Sequence, residues 1–536
     1  MTRTFRVSQV RLSLKHTDED IFRALTKKLS LSEKDIVSYE ILKLSLDARK
    51  KNDIHYSLTA AVTVDEKAGD RLINAKRKSP DILLHDENKY EIPSIGGRAL
   101  KERPVIVGSG PAGLFAAYLL AKRGLKPLII ERGSDAERRT EKVEHFFATN
   151  ELDEHTNVQF GEGGAGTFSD GKLNTMVKDP YGRIRFMLET FASFGADESI
   201  TYINKPHIGT DVLKTILINM RHEIENLGGT YRFDTAMTDI RIEDGHVTGI
   251  TVNENEEIPC EVLVLAPGHS ARDTFGMLLK RGFVMSQKEF AVGLRVEHPQ
   301  ELVSRHQYGD KWDELPPADY KVTYRASNGR GVYSFCMCPG GYVVNSSSEK
   351  GLLLVNGMSY HARDGINANS AIIVTVGKDD FDGNDALAGV RYQEGLERKA
   401  YKLANGKIPV QLYGDYKAGK LSSEFKSVKP AFKGQYAFAD MSNLFSRNVN
   451  SAFIEGMEAF GRKMEGFNMP DVILAGVESR TSSPVRIERE KESLEALKIA
   501  GVYPSGEGAG YAGGITSAAV DGMKVAEKII EKYGRL

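Results

Sequence analysis

The run VIVGSGPAGLFAAYLLAKRG, residues 105–124, restricts the fold of this chain more than any other stretch. Val105 to Val107 is a short apolar segment of the kind that forms a buried parallel strand. Gly108, Ser109, Gly110, Pro111, Ala112 and Gly113 place a G-x-G-x-x-G turn at its end. Leu114 to Arg123, rich in Ala and Leu, predicts a helix that Gly124 stops, and Pro127 to Ile130 predicts a second strand ending at Glu131. Strand, glycine turn, helix, strand and acid, in that order, make a dinucleotide-binding βαβ unit. Each glycine has its own task. Gly108 permits the tight turn, Gly110 lets the backbone approach a pyrophosphate, and Gly113 lets the helix pack on the strand with its first amides facing the phosphates. Glu131, with Arg132 beside it, stands where a carboxylate accepts hydrogen bonds from ribose hydroxyls; it would repel a 2′-phosphate, which disfavours NADP.

The C-terminal end separates NAD from FAD. A strand near Ala500 to Tyr503 leads into Gly506, Glu507 and Gly508, and Gly513, Gly514 and Ile515 open a helix through Ala518, Ala519 and Met523. A second helix N-terminus beside the first can hold the far end of an extended cofactor and stabilise negative charge on a flavin ring. An NAD dehydrogenase has no need of it. Such a nucleotide domain is discontinuous in sequence.

The rest of the 536-residue chain divides around this domain. Residues 1–98 read as a small α+β domain, with strands at Phe5 to Leu14 and Ile54 to Val64 and helices at Asp18 to Leu29 and Glu66 to Arg77. A polar link from Lys78 to Arg103 follows. Residues 99–282 hold the first part of the nucleotide domain, with a helix at Val212 to Leu227 and strands at Tyr231 to Ile240, His246 to Val252 and Val262 to Ala266. Residues 283–465 read as a mainly antiparallel substrate or cap domain, in which Gly331 to Cys338 and Tyr342 to Ser346 form a hairpin about Pro339-Gly340-Gly341. Residues 466–536 complete the nucleotide domain. The fold class is α/β with a Rossmann-like core, and a chain beginning near residue 99 is expected to retain the cofactor without the N-terminal domain if exposed apolar surface does not make it insoluble.

Net charge is −1, from 72 basic and 73 acidic residues, which gives no general attraction to nucleic acid or to an anionic membrane. The first residues carry interspersed charges and no signal-peptide core, and no apolar run reaches membrane-spanning length, so a soluble cytoplasmic protein is expected. No oligomeric state is legible. The cysteines are Cys260, Cys336 and Cys338, too few for a disulfide framework. Cys336 and Cys338 alternate on one face of a strand, where a flat geometry closes a disulfide only with strain, and core packing is the favoured reading. Zinc would need a second pair of ligands, and no metal is expected. "SLDARKK", residues 45–51, reads as a solvated basic turn.

The chain resembles the glutathione-reductase-like superfamily of FAD-dependent oxidoreductases. The resemblance rests on the fingerprint with Glu131, on "TAMTDI" (235–240), on "VLVLAPGHSARD" (262–273) and on "SGEGAGYAGGI" (505–515). With "GEGGAGTFSDGKL" (161–173) and "SFCMCPGGY" (334–342), the whole chain is similar to a bacterial group of uncharacterised FAD-dependent dehydrogenases. The resemblance implies FAD, with the backbone at Met237 facing adenine and Ala266, Pro267 and Gly268 at a cofactor-contacting strand end; because no His, Cys or Tyr is demonstrably placed for a covalent link, the FAD is expected to be non-covalent. It also implies that Gly163, Gly164, Gly166 and Thr167 pass the isoalloxazine and that Glu507 lies near the ribityl chain. Pro267 stands where Thr is usual, and Glu507 where Asp is usual. Lys172, His269 and Arg272 are the candidates for holding a substrate or tuning the flavin. Glu478, Arg480 and Thr481 either line the cavity or form a buried ion pair.

No second dinucleotide fingerprint is present, so NAD(P)H is expected only as a transient electron donor. The leading expectation is hydride transfer between a small organic substrate and flavin N5. The alternatives are an RNA-modifying flavoprotein, which the charge balance disfavours, and a non-enzymatic flavin-binding redox sensor or scaffold.

Overall fold

The computed structural model describes residues 2–74, 79–86 and 89–534. The fingerprint strand Val105–Val107 is the middle of a five-stranded sheet ordered Val502–Pro504, Leu263–Leu265, Val105–Val107, Leu128–Ile130, Thr230–Arg232. All four pairings are parallel. Both faces of such a sheet are covered, which is why these strands are short continuous runs of Val, Ile and Leu rather than alternating ones. The C-terminal strand lies next but one to the fingerprint strand, so the nucleotide domain is closed by residues some four hundred positions along the chain.

The helix Pro111–Lys122 starts directly from Gly110 as its N-cap, with proline in the first turn, where a missing N–H costs nothing. It packs against the C-terminal helix Ile515–Lys532 so closely that a Cβ on Gly522 would fall 2.0 Å from the Ala112 carbonyl oxygen. This contact sets the two N-termini side by side.

The middle region is built on a seven-stranded sheet ordered Thr323–Arg325, Gly331–Cys338, Asn367–Val376, Phe290–Pro299, Ile473–Glu478, Ile408–Leu412, Tyr436–Phe438. Its pairings are antiparallel except the last, between Ile408–Leu412 and Tyr436–Phe438. Because Ile473–Glu478 lies inside this sheet, the region does not end at residue 465 but takes in the strand beyond it. The expected hairpin is also corrected. Gly331–Cys338 pairs with Thr323–Arg325 and Asn367–Val376, whereas Tyr342–Asn345 pairs with Val355–Met358 and Phe432–Lys433 in a separate three-stranded sheet. Pro339-Gly340-Gly341 is therefore a crossing between sheets. The predicted strand Tyr231 to Ile240 is likewise two: Thr230–Arg232 on the parallel sheet, and Met237–Glu243 in a meander with His246–Val252 and Glu256–Pro259.

The chain forms two compact units, one of residues 1–90, 178–206 and 307–315 and the other of 91–177, 207–306 and 316–536. The first holds an antiparallel sheet ordered Ile36–Asp47, His55–Asp65, Thr2–Leu12, Ile82–Leu84. Strand Ile36–Asp47 was not anticipated: its apolar alternation, Val37, Tyr39 and Ile41 and then Leu42, Leu44 and Leu46, changes phase where its register with His55–Asp65 slips between Ile41 and Lys43; "SLDARKK" begins as its end rather than as a free turn. The helix Asp18–Leu29 lies where predicted, started by a capping box between Thr17 and Asp20. The second predicted helix is Glu66–Ile73; Ala75 to Arg77 and Lys78 lie outside the described residues. No helix among the described residues is long and apolar enough to cross a membrane.

The later segments change the expectation for truncation. Leu44 N donates to Tyr202 O at 2.8 Å, Asn204 N donates to Leu44 O at 2.8 Å, and Arg185 pairs with Glu40. Removing residues 1–98 strips 178–206 of the sheet it bonds to. Such a truncation is expected to express mostly as insoluble protein, measured as soluble yield beside the full chain; a soluble, folded truncation holding FAD would contradict this.

Candidate cofactor and substrate cleft

One cleft collects residues from the fingerprint, the glycine-rich segment after it, the Ala266 to Ser270 turn, the middle region and the C-terminal helix. Of the anticipated residues it is lined by Gly108, Gly110, Pro111, Ala112, Glu131, Gly164, Gly166, Lys172, Ala266, Pro267, Gly268, His269, Gly506, Glu507, Gly513, Gly514 and Ile515. Gly164–Phe168 forms a short 3-10 turn between the two helix starts: a Cβ on Gly164 would stand 3.2 Å from Gly110 Cα, and one on Gly166 3.3 Å from Ile515.

The fingerprint glycines differ physically. Gly108 has φ +95, and its Cβ would meet the Ala266 carbonyl oxygen at 2.2 Å; a Cβ on Gly113 would meet the Gly108 carbonyl oxygen at 1.9 Å. Both are glycines because the protein itself is too close. Gly110 is not: its φ of −66 suits any residue, and the nearest described atom to its Cβ is Gly164 Cα at 3.9 Å. Nothing in the protein demands glycine there, and the opening faces the cleft at a helix N-terminus. Gly513 and Gly514 at the second helix start also have no described atom within 4 Å of an added Cβ. Two unblocked helix starts, with a glycine turn between them, fit a long anionic dinucleotide with amide donors at both ends.

Seven anticipated residues do not line the cleft, each because it has another partner. Ser109 turns inward, its N and Oγ both donating to Glu131 Oε2 at 2.9 and 2.8 Å. Gly113 faces the Gly108 carbonyl, as above. Arg132 lies over the Phe160 ring at 4.5 Å and pairs with Asp273 at 2.8 Å. Gly163 packs against Leu217, and Thr167 donates to the Glu162 carbonyl at 2.9 Å. Met237 is buried in the apolar core under the parallel sheet. Arg272 is corrected as a catalytic candidate: it binds Glu397 in two places, at 2.9 and 2.7 Å, inside a buried cluster.

Glu131 does more than was expected of it. Besides Ser109 it accepts from Gly133 N at 3.1 Å and Gly161 N at 3.0 Å, so one buried carboxylate ties the fingerprint turn to the glycine-rich segment. Lys172 pairs with Asp170 at 3.0 Å and donates to the Met337 carbonyl. Burial works against its charge, but Asp170 and the nearby thiols outweigh it, and Lys172 stays an ammonium. His269 is pushed down to about 4, first by burial and then by Arg480 and Arg272, and is neutral at neutral pH. Burial raises Glu507 to about 7 against the pull of Lys288.

The sequence did not single out Gln159, Phe160, Phe335 or Asn356, all of which line the cleft. Gln159 and Phe160 directly precede the glycine-rich run, a signal that was available. Asn356 had none: it lies on strand Val355–Met358, and its buried Oδ1 has no hydrogen-bond partner among the described residues. Of the ion-pair candidates, Arg480 and Thr481 line the cleft, while Glu478 lies behind it, bonded to Arg295 at 2.8 and 2.9 Å.

Residues 289–481 match the family model described as FAD-dependent protein, C-terminal domain-like. Residues 106–145 match the NAD(P)-binding Rossmann-like domain, and residues 4–63 match a domain of unknown function. A protein of Clostridium beijerinckii, described as uncharacterized, is 46% identical over 533 residues, covering 98% of this chain and 99% of its own length. Among solved structures, E. coli quinol fumarate reductase FrdA is 14% identical with a TM-score of 0.37, over 81% of this chain and 71% of its own. Glycine oxidase of Bacillus cereus is 14% identical with a TM-score of 0.31, over 80% of this chain and 95% of its own.

Proposed function

Because the chain belongs to a bacterial family of FAD-dependent proteins, we propose that it is an oxidoreductase passing hydride between a small organic anion and the flavin. The observation that carries this reading is the cleft itself, where the cofactor cradle and polar groups of the middle region share one space. FAD supplies the two-electron chemistry when bound. The chain's own residues supply holding and orientation. The amides at the start of Pro111–Lys122, opened by Gly110, receive the pyrophosphate, and those at the start of Ile515–Lys532, opened by Gly513 and Gly514, face the other end. Glu131 keeps the turn in shape, both of its oxygens being taken by Ser109, Gly133 and Gly161.

On the substrate side, Lys172 contributes a positive charge fixed by Asp170, which suits a carboxylate. Asn356 offers an unpaired acceptor that would receive a hydroxyl or amino hydrogen. His269, being neutral, can donate or accept without adding charge, and Glu507, 3.8 Å from it, sits near its midpoint at neutral pH and can take up or release a proton.

The test is anaerobic screening of the yellow protein with NADH, NADPH and fractionated small carboxylates, followed as loss of flavin absorbance. Bleaching by a carboxylate fraction is expected; a flavin that no small molecule reduces would sink the reading. The flavin is held without a covalent link, so acid precipitation is expected to leave it in the supernatant, and a yellow pellet would contradict this.

A further inference from the structure

We propose that Cys336 and Cys338 form a dithiol–disulfide couple that exchanges two electrons with the bound flavin, Cys336 presenting its sulfur to the cleft. The proposal rests on the cleft reading above and stands against the expectation that this pair only packs.

The geometry departs from a flat strand at the place that matters. A regular strand sets residues i and i+2 roughly 6.7 Å apart, beyond the roughly 3.5–4.5 Å between Cβ atoms that a disulfide requires. Here the pairing of Gly331–Cys338 with Asn367–Val376 slips between Phe335 and Cys338, and Cys336 takes φ +42, the left-handed region that a non-glycine residue enters only at a cost. At the bulge Cys338 turns back along the chain, its Sγ donating to the Cys336 carbonyl at 3.3 Å. Gly341 permits this: a Cβ there would press on Cys338 Cβ at 2.9 Å. Cys336 then lines the cleft together with Lys172, Phe335, Asn356 and Glu507, and Cys338 is buried behind it.

The charges facing the pair come from three sides. Lys172 donates to the intervening Met337 carbonyl, and Arg295 Nη1 donates to the Cys336 carbonyl at 2.8 Å. Asp170, Glu478 and Glu507 oppose them, Asp170 and Glu478 being spent on Lys172 and Arg295 themselves. The contact with Cys338, then Lys172 and Arg295, hold the Cys336 thiol well below its ordinary value against the effect of burial, while Cys338 is driven well above. One thiolate beside one thiol is the reactive form of such a couple. Cys260 supplies the contrast within the same molecule: buried in the core under the parallel sheet, its thiol is pushed up to about 12 by burial.

On oxidation the Cys338 S–H bond breaks and the Cys336–Cys338 S–S bond forms. Thiolate and thiol together lose two electrons and one proton, and both electrons and the proton pass to oxidised FAD. Reduction runs the same balance backwards. A small strained ring of this kind is readily reduced, which suits a relay.

The test uses the FAD-loaded full chain. After diamide treatment, the wild type is expected to lose about 2 Da by intact mass, two hydrogens, and to take up about four electrons per FAD from dithionite; Cys338→Ser should keep its FAD, show no mass loss and take up about two. Should Cys338→Ser fail to fold, Cys336→Ser gives the same comparison. Iodoacetamide labelling of Cys336 against pH is expected to have its midpoint below that of an ordinary free thiol measured alongside, and Lys172→Met should raise it; a midpoint at or above the free thiol's would count against the couple. Two electrons per FAD and an unchanged mass in the wild type would overturn the couple with the cleft intact. FAD retained by a folded Gly110→Val protein would instead overturn the cleft reading, and mass and labelling would still decide whether the sulfurs pair.

Discussion

Replacing Gly110 with Val is expected to give a folded protein that has lost its flavin. The argument depends on where the added atoms go. Gly110 has φ −66 and ψ 178, open to valine, and its Cβ would come no nearer to a described atom than 3.9 Å. The cost to the fold is the weaker N-cap, about 1 kcal/mol. The cost to binding is far larger, because the side chain occupies the space through which a pyrophosphate reaches the helix amides. Flavin per protein, read from visible absorbance, should fall to about a tenth or less of wild type, with a far-ultraviolet circular dichroism spectrum like that of wild type. Added FAD should raise the melting temperature of the stripped wild type and not of the variant. The matched control is Gly113→Val: its Cβ would lie 1.9 Å from the Gly108 carbonyl oxygen, so it should damage the fold itself. Normal flavin content in a folded Gly110→Val protein would remove the cofactor site from this turn.

Glu397→Ala is expected to be strongly destabilising to the cofactor-binding unit. Glu397 lies on helix Ala388–Ala404, fully buried, and accepts from Arg272 at 2.7 and 2.9 Å, from Arg480 at 2.9 and 2.7 Å and from Ser479 at 2.7 Å. Arg272 begins the helix after the Pro267-Gly268 turn, and Arg480 follows strand Ile473–Glu478, so one carboxylate joins three separate stretches. Removing it leaves two buried guanidinium groups whose contacting carboxylate is the partly exposed Glu349, beside the neutral Gln393 and Ser348. Breaking a buried pair from one side costs about 3–5 kcal/mol, which urea unfolding would measure. A loss below about 1 kcal/mol, the usual worth of an exposed pair, would show that the cluster is not what joins these stretches. The pH dependence follows with a definite sign. Burial pushes the Glu397 carboxyl up, but Arg272 and Arg480 outweigh it and hold it at about 2. Its contribution is therefore fully present above the unfolded value near 4.3 and is lost as pH falls through about 2, so the stabilities of wild type and Glu397→Ala should converge on acidification.

How far the sequence could be read depended on the range over which each constraint acts. The turn from Gly108 to Gly113 was legible because its conditions are local: a positive φ at Gly108, a close carbonyl at Gly113 and a helix start at Gly110 all lie within six residues. The helix Asp18–Leu29, bounded by its own capping box and by Ser30 in the left-handed conformation, was legible for the same reason. Strand pairing was not. Gly331–Cys338 and Tyr342–Asn345 look like a hairpin, two runs about a proline-glycine turn, yet each finds better partners in a different sheet.

Site residues show the same division. Arg272 and Thr167 stand in the right motifs but turn away, because a buried carboxylate and a nearby carbonyl satisfy them better than an open cleft would. Asn356 has no motif and reaches the cleft because the strand that carries it lies there. By itself, then, the sequence determined the dinucleotide turn, the class of fold and the identity of the cofactor, since backbone φ and helix starts are decided among neighbours in the chain. Only the tertiary structure decided what meets in the cleft. It set Lys172 against Met337 and bulged the strand at Cys336, because those depend on which of several distant, competing partners a buried polar group or strand edge finally bonds.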